Sequence, residues 1–234
     1  MAQITVENLT KYFETDGEKQ LVLQGVNASF EENEVSVILG RSGVGKTVML
    51  RIMAGLLEPS SGKITFPGGL KPGFVFQEAR LMPWLSVWDN VNFGLEKFQI
   101  DKGKTQAVID LVALTGHEKT FPADLSGGMA HRVALARMLI CRPRLIFMDE
   151  PFSALDYFTR AMLQKELLRI KKETGMGVIF VTHNLDEAVR IADSIYVMSN
   201  GVITEKFRVN LTENERESYS LKALDIKNEI LRNL

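Results

Sequence analysis

The stretch Gly40-Arg41-Ser42-Gly43-Val44-Gly45-Lys46-Thr47 matches the P-loop pattern G-x-x-x-x-G-K-[ST] at every fixed position. The apolar segment Val35–Leu39 precedes it and predicts a buried strand, and residues 48–54 follow it and predict a buried helix. Glycines let backbone N–H groups turn inward around phosphate oxygens, and the helix N-terminus adds positive charge. The stretch therefore predicts a nucleotide-phosphate site, and its flanks favour this over a plain glycine turn.

Within this motif the lysine and the last hydroxyl residue have separate predicted roles. Lys46 is expected to reach the β- and γ-phosphates, and the Thr47 hydroxyl is expected to ligate Mg²⁺. The other predicted phosphate contacts of the motif are Gly40, Arg41, Ser42, Gly43, Val44 and Gly45.

Length and composition predict one soluble domain. The chain has 234 residues, of which 45% are hydrophobic, and its mean hydropathy is near zero. Lys and Arg number 28 against 29 Asp and Glu, and this balance argues against a nucleic-acid binder, which normally shows a basic excess. Cys141 is the single cysteine, so no intrachain disulfide is expected.

The location follows from what the amino-acid pattern lacks. The first residues carry no basic and apolar signal-peptide pattern, and no apolar run approaches the ~18 residues of a membrane span. We therefore expect a cytoplasmic protein, and any membrane role must come through a partner.

Hydrophobic patterning predicts an α/β fold. Continuous apolar runs at residues 145–148 and 177–181 are typical of parallel strands buried on both faces, and Asn200-Gly201 predicts a hairpin. Strands are also expected at residues 4–6 and 21–23, around a turn at Asp16-Gly17 with Lys11-Tyr12-Phe13 beside a loop. Helices are expected at residues 159–173, 186–192 and in a terminal segment carrying Leu224, Ile230 and Leu231.

Strand patterns disappear between residues 77 and 142, where helical patterns occupy residues 87–93, 105–114 and 129–140. The prediction is a P-loop core with a mixed β-sheet flanked by helices, an N-terminal antiparallel β region and an inserted α-helical subdomain. As a single domain it would comprise a core of residues 1–76 and 143–205, a subdomain of about 77–142 and a helical tail of 206–234.

Two carboxylates follow the apolar run at residues 145–148. A P-loop ATPase needs one carboxylate for Mg²⁺ and another to polarise water. Because adjacent strand residues point to opposite faces, Asp149 is expected on the metal side and Glu150 on the water side. A solvated acidic strand end is the alternative. His183 and Gln77 also follow strands, so His183 is a candidate for the γ-phosphate or the water, and Gln77 for the metal or the water.

Ser126-Gly127-Gly128 opens the predicted helix at residues 129–140. Serine and two glycines at a helix N-terminus form either an anion site or a capped turn, and the residues alone favour the capped turn. A second phosphate site so far from the P-loop is sensible only if another molecule supplies the nucleotide.

Together these residues resemble the ATPase subunit of ABC transporters over about residues 4–205. In this resemblance the P-loop corresponds to Walker A, and residues 145–150 to Walker B with its catalytic glutamate. Gln77 corresponds to the Q-loop, residues 153–156 to the D-loop and His183 to the switch histidine. Residues 125–128 match the Leu-Ser-Gly-Gly signature that only this family carries.

The resemblance also implies which residues contact nucleotide. Phe13 is similar in position to the aromatic that stacks on adenine, with Tyr12 as the runner-up, although the residues alone favour ordinary strand packing here. The other implied nucleotide contacts are Ser126, Gly127, Gly128, Asp149 and Asp156, and the implied metal ligands are Thr47, Gln77 and Asp149.

Some details narrow the resemblance. Met129 after the signature, together with residues 76–84 and 151–156, resembles the nitrate/sulfonate/taurine-type importer ATPases. The chain departs from the common pattern at Ala130-His131, where Arg-Gln is usual, and at Val48. These departures leave the rate and the substrate class open.

The resemblance implies an ATP- and Mg²⁺-dependent hydrolase that works as a head-to-tail dimer with a second copy of itself. It also implies an integral membrane permease, an indirect solute-binding protein and no nucleic acid, with the chain peripheral on the inner face of the cell membrane. Residues 80–85, with Trp84 among them and Trp88 close behind, are expected to dock the permease, or alternatively to join the subdomain to the core. An exporter motor and a soluble non-transport ABC protein remain alternatives. A P-loop kinase would lack the signature sequence.

Overall fold

The structure is a computed structural model that describes residues 3–15, 17–70, 72–153, 155–217 and 220–232. The strands are β1 (Gln3–Thr15), β2 (Glu18–Glu31), β3 (Val35–Leu39), β4 (Ser61–Thr65), β5 (Gly73–Val75), β6 (Leu145–Asp149), β7 (Gly177–Thr182), β8 (Ser194–Ser199) and β9 (Val202–Arg208). The α-helices are α1 (Lys46–Met53), α2 (Val87–Val91), α3 (Lys102–Leu111), α4 (Gly127–Leu139), α5 (Tyr157–Thr174), α6 (Leu185–Ile191), α7 (Glu213–Glu217) and α8 (Leu221–Leu231).

A six-stranded mixed sheet forms the centre, in the order β5-β6-β7-β3-β8-β9. All its neighbours are parallel except β8 and β9, which form the predicted hairpin around Asn200 and Gly201. Every residue of β3, β6 and β7 is buried, as expected for parallel strands covered on both faces. The predicted mixed α/β core is therefore confirmed. In the parallel strands the carboxyl ends share one edge, and the P-loop, Asp149 and His183 follow there.

A second, antiparallel sheet has the order β2-β1-β4. It confirms the N-terminal antiparallel region but corrects its details, because β1 and β2 are 13 and 14 residues long rather than three. Lys11, Tyr12 and Phe13 therefore lie within β1 and not beside a loop. Register shifts and a positive φ of 49° at Asn8 interrupt the alternation that sequence patterning relies on. Asp16 of the predicted turn lies outside the described residues.

Helices α2, α3 and α4 connect β5 to β6, and residues 77–142, all of them described, contain no strand. One hydrophobic cluster nevertheless joins this segment to the sheet, since it includes Val75, Val91, Val133 and Ile146. The division into a core, a helical subdomain and a tail stays a prediction.

Two predicted helices need correction. α3 begins three residues earlier than expected because Asp101 caps it, accepting from Lys104 N at 3.1 Å, and Ala113 with φ 53° lies just beyond its end. The tail contains two helices, and α8 buries Ala223 and Ile230 while Leu224 and Leu231 are exposed. In the part of the chain that the structure describes, every helix is too short or too polar to cross a bilayer.

Candidate active site

The P-loop connects β3 to α1, and its glycines are needed for packing as well as for access. A Cβ on Gly40 would lie 2.3 Å from the carbonyl oxygen of Met198, and one on Gly45 would lie 2.9 Å from Leu23 Cδ2. Gly45 and Gly43 have φ of 106° and 85°, where other residues are strained. Gly43 has open space around it. The predicted reason, backbone access, thus holds most directly at Gly43.

Lys46 heads α1 and is only 4% exposed. Its Nζ donates to the carbonyl oxygens of Gly40 at 2.9 Å and Arg41 at 2.8 Å, and lies 3.8 Å from Glu150 Oε1. Burial lowers the pKa of Lys46, and the charges of Glu150 and Asp149 oppose that change. A buried cation held by carbonyls and carboxylates at the P-loop is well placed to pair with phosphate oxygens.

Thr47 and Asp149 meet as the sequence predicts. The Thr47 hydroxyl donates to Asp149 Oδ1 at 2.7 Å, and the carboxylate is 2% exposed. Arg51, one turn further along α1, lies 3.6 Å from Asp149 Oδ2 and holds the other oxygen. A hydroxyl and a carboxylate oxygen side by side are hard ligands of the kind that Mg²⁺ prefers, usually with substrate phosphates completing its shell. These residues fit a magnesium ion.

Glu150 has left the strand, so strand alternation does not separate the two carboxylates as predicted. Its φ of 44° turns the chain sharply after β6, while its N–H donates to Val181 O at 3.1 Å. Its Oε2 lies 2.8 Å from Nδ1 of His183, and its Oε1 faces Lys46. A left-handed non-glycine residue is uncommon and is typical of functional sites.

Gln77 reaches this centre through one intermediary that sequence reasoning missed. Its Nε2 donates to Ser153 Oγ at 3.1 Å, and that hydroxyl donates to the carbonyl oxygen of Glu150 at 3.0 Å. Gln77 is exposed and has no direct contact with Asp149 or Thr47 in the described structure. The one signal for Ser153 in the sequence was its own position within the D-loop match. Ala154 of that match lies outside the described residues.

Ser126 and Asp156 each cap a helix. Ser126 Oγ accepts from Met129 N at 3.3 Å, and Asp156 Oδ1 accepts from the N–H groups of Phe158 and Thr159 at 3.0 Å. The two helix starts pack together, because a Cβ on Gly128 would lie 2.6 Å from Thr159 Cγ2. No hydrogen bond or ion pair among the described residues joins Ser126, Gly127, Gly128 or Asp156 to the P-loop. Their predicted nucleotide contacts stay predictions.

The two aromatic candidates lie side by side in β1. Phe13 is 36% exposed and Tyr12 41%, and as neighbours on a strand they point to opposite faces. Lys11 Nζ lies 5.0 Å from the Phe13 ring centroid, and Lys19 Nζ lies at the same distance from the Tyr12 ring. Either ring has a free area for stacking, so adenine contact by Phe13 stays a prediction.

The family described as ABC transporter matches residues 23–153, which is more than half of the chain. The aliphatic sulfonates import ATP-binding protein SsuB of Corynebacterium glutamicum is 40% identical over 91% of this chain and 86% of its own. The taurine import ATP-binding protein TauB of Pelagibacter ubique is 42% identical over 85% of this chain and 79% of its own.

Among solved structures, the fold is similar to a dimeric ATP-binding cassette in a post-hydrolysis state, bound to ADP and Pi. The TM-score is 0.79 at 28% identity, with 89% of this chain and all of the other covered. The family match, the relatives and the similar structure thus agree with the nucleotide-phosphate chemistry inferred at the P-loop edge. The chain belongs to the ABC transporter family as an ATP-hydrolysing cassette subunit.

Proposed function

We propose that this chain powers the uptake of a sulfonate-like or taurine-like solute through a separate permease. The observation that carries the ATPase mechanism is the meeting of Lys46, the Thr47–Asp149 pair and the Glu150–His183 pair at one edge of the sheet. The import direction and the solute class rest on relatives named for aliphatic sulfonates and taurine import.

The P-loop and Lys46 bind the phosphates of ATP. Backbone N–H groups of the loop and the N-terminus of α1 point at the anion, and Lys46 exchanges its carbonyl partners for phosphate oxygens. Thr47 and Asp149 would hold Mg²⁺, which would neutralise charge on the phosphates. Arg51 keeps the Asp149 carboxylate oriented towards Thr47.

Glu150 accepts the proton of the attacking water. Its Oε2 lies 2.8 Å from His183 Nδ1, so the histidine can orient the carboxylate and present its other nitrogen to the γ-phosphate or the water. Gln77, tied to the Glu150 carbonyl through Ser153, contributes to the same centre and links it to the segment that follows β5.

A second copy of the chain completes each site. Ser126, Gly127 and Gly128 start a helix of 13 residues and do not contact their own chain's P-loop in the described structure. In a head-to-tail dimer, the Ser126 hydroxyl and the Gly128 N–H approach the nucleotide held by the partner. The similarity to a dimeric cassette supports this arrangement.

The permease docks on residues 80–85, although the exposed patch is smaller than the sequence predicts. Leu81 packs against the core, while Pro83 is exposed and Trp84 is 70% exposed. Asn90, fully buried, fixes this loop through hydrogen bonds to both Met82 N and Met82 O at 2.8 and 3.1 Å. A rigid loop presenting one large aromatic suits an interface hot spot. On docking, the chain becomes peripheral at the cytoplasmic face of the membrane.

The test is reconstitution with a permease and a solute-binding protein that co-purify with this chain. We expect ATP-dependent uptake of taurine or an alkanesulfonate into proteoliposomes, and none of an unrelated amino acid. The Glu150→Gln subunit, reconstituted in parallel, should support no uptake. ATP-driven efflux, or equal uptake of all solutes, would contradict the proposed function.

A further inference from the structure

Within the described ranges three charged side chains are buried, and the mechanism above uses only two of them. Lys46 and Asp149 belong to the P-loop edge, whereas Glu187, in the first turn of α6, is 7% exposed and has no role there. Burying a carboxylate is costly unless hydrogen bonds compensate it. Burial accordingly raises the pKa of Glu187, and donors from Thr182 and Gln164 oppose that change. A carboxylate buried at this cost is expected to have a specific role in the protein.

The hydrogen bonds of Glu187 involve the residues on both sides of His183. The Thr182 hydroxyl donates to Glu187 Oε2, and the same hydroxyl accepts from the N–H of Asn184 at 3.0 Å. Asn184 Oδ1 in turn accepts from the N–H of Glu187 at 3.1 Å. The residues before and after His183 are therefore both tied to Glu187 in one closed ring of hydrogen bonds.

The other carboxylate oxygen reaches α5. Glu187 Oε1 accepts from Gln164 Nε2 at 3.0 Å in a buried contact. One turn earlier on α5, Arg160 has a charge that favours the ionised form of Glu187, and its Nη2 donates to the carbonyl oxygen of Leu155 at 2.9 Å. Leu155 lies in the loop after Glu150 and approaches Gly127 at the start of α4. The carboxylate thus connects the histidine to the helix that follows the D-loop.

We propose that Glu187 is a positioning residue that holds His183 in line with Glu150 and links that alignment to α5 and the D-loop. This inference rests on the proposed roles of His183 and Glu150. His183 is itself 49% exposed, so few side-chain contacts fix it, and the Glu150 Oε2 bond depends on where its backbone stands. A small displacement of a catalytic group is enough to lower turnover strongly.

The main test is Glu187→Gln in the full-length protein. Thr182 and Gln164 both donate to the carboxylate, and a glutamine offers one acceptor oxygen, so one of the two bonds must reverse or be lost while the shape is kept. We expect kcat for ATP to fall on the order of 10- to 100-fold with KM and the melting temperature little changed. Asp186→Asn, the same change on the exposed neighbour, is the matched control and should retain activity.

Combining the substitution with His183→Ala separates positioning from general damage. If Glu187 acts through His183, Glu187→Gln should add no further loss in the His183→Ala background. An additional loss as large as in the wild-type background would overturn the proposal.

Thr182 provides a second series if Glu187→Gln fails to fold. Thr182→Ser keeps the hydroxyl and should retain kcat, whereas Thr182→Val removes it and should lower kcat. Equal activity of the two variants would overturn the proposal. If Glu150→Gln and His183→Ala leave turnover intact, the proposed function's catalytic roles fail. If they lower turnover and Glu187→Gln does not, only the role of Glu187 fails.

Discussion

The P-loop edge and the start of α4 both carry residues that the sequence singles out, but folding treats them differently. At the P-loop edge, Lys46 comes from α1, Asp149 from the end of β6 and Glu150 from the turn after it. Lys46 lies close to Glu150, and Asp149 accepts a hydrogen bond from Thr47. At the start of α4, Met129 N of the same helix is the one donor to Ser126 Oγ among the described residues. One region is assembled by folding alone, whereas the other leaves Ser126 and Gly127 exposed and Gly128 buried. This difference supports the proposal that each chain builds one half of a site and displays the other.

Glu150→Gln should have the largest effect, because it removes the proposed proton acceptor from the assembled half. Turnover should fall by about 10²–10⁴-fold, the usual contribution of a positioned acid–base group, while ATP binding persists because Lys46 and Thr47 remain. Steady-state ATPase assays and nucleotide titration measure both. Glu173→Gln, the same change on the exposed end of α5, is the control. Near-normal turnover in Glu150→Gln would remove the catalytic role.

Ser126→Ala should act only when two chains meet. ATPase activity and ATP-driven dimerisation should fall roughly 10- to 100-fold, the worth of a hydrogen bond to a charged group, with ATP affinity of the monomer unchanged. Sedimentation with and without ATP measures the dimer. Ser220→Ala, which removes the equivalent cap of α8, controls for the lost helix cap. Weaker ATP binding by the monomer would place Ser126 in its own chain's site.

Trp84→Ala should leave both halves intact and break only the contact with the membrane partner. Loss of a hot-spot aromatic costs about 2 kcal/mol or more, which is roughly 30-fold in affinity for the permease. ATPase activity of the free subunit should not change. Phe98→Ala is the matched control, since Phe98 is 80% exposed in the same helical segment. Normal co-purification and uptake with Trp84→Ala would refute the docking site.

His131→Gln should have the smallest effect, a change in how stability depends on pH. Burial lowers the pKa of His131 below its ordinary 6.5, and its buried Nδ1 has no hydrogen-bond partner among the described residues. A lowered native pKa means that the unfolded chain takes up the proton first, so stability falls as pH drops through about 6.5 and below. Urea unfolding at pH 5.5 and 7.5 should show a flatter dependence in His131→Gln. If the free energy of unfolding changed equally between the two pH values in both proteins, His131 would be excluded as a source of the pH dependence.

The sequence predicts the assembled half well because that half depends on strand ends. Apolar runs locate β3, β6 and β7, and parallel strands bring the residues after them to one edge, so Lys46, Asp149 and His183 could be placed together. The turn at Glu150 could not be foreseen, since nothing in its identity requires a positive φ. The roles of Arg51 and Glu187 were missed because they arise from long-range contacts that no local pattern records, whereas the D-loop match was the only signal for Ser153.

By contrast, the sequence predicts the N-terminal sheet poorly. Its strands are long, yet bulges near Asn8 and between Leu9 and Tyr12 break the period of two, and half-exposed positions blur it further. Sequence patterning therefore found only residues 4–6 of β1 and residues 21–23 of β2, and the latter span one of these bulges. The aromatic pair of β1 was misplaced for the same reason, and patterning alone does not decide which ring faces a nucleotide.

The most direct test of a site shared between chains is complementation. Lys46→Ala chains lack the P-loop half, and Ser126→Ala chains lack the displayed half, so either variant alone should be nearly inactive. In a self-complementary dimer, mixing the two variants equally makes half of the dimers heterodimers. Each heterodimer has one intact site of two, so the mixture should show about a quarter of wild-type ATPase activity. Activity in the mixture no higher than the mean of the two separate variants would contradict a site built from two chains.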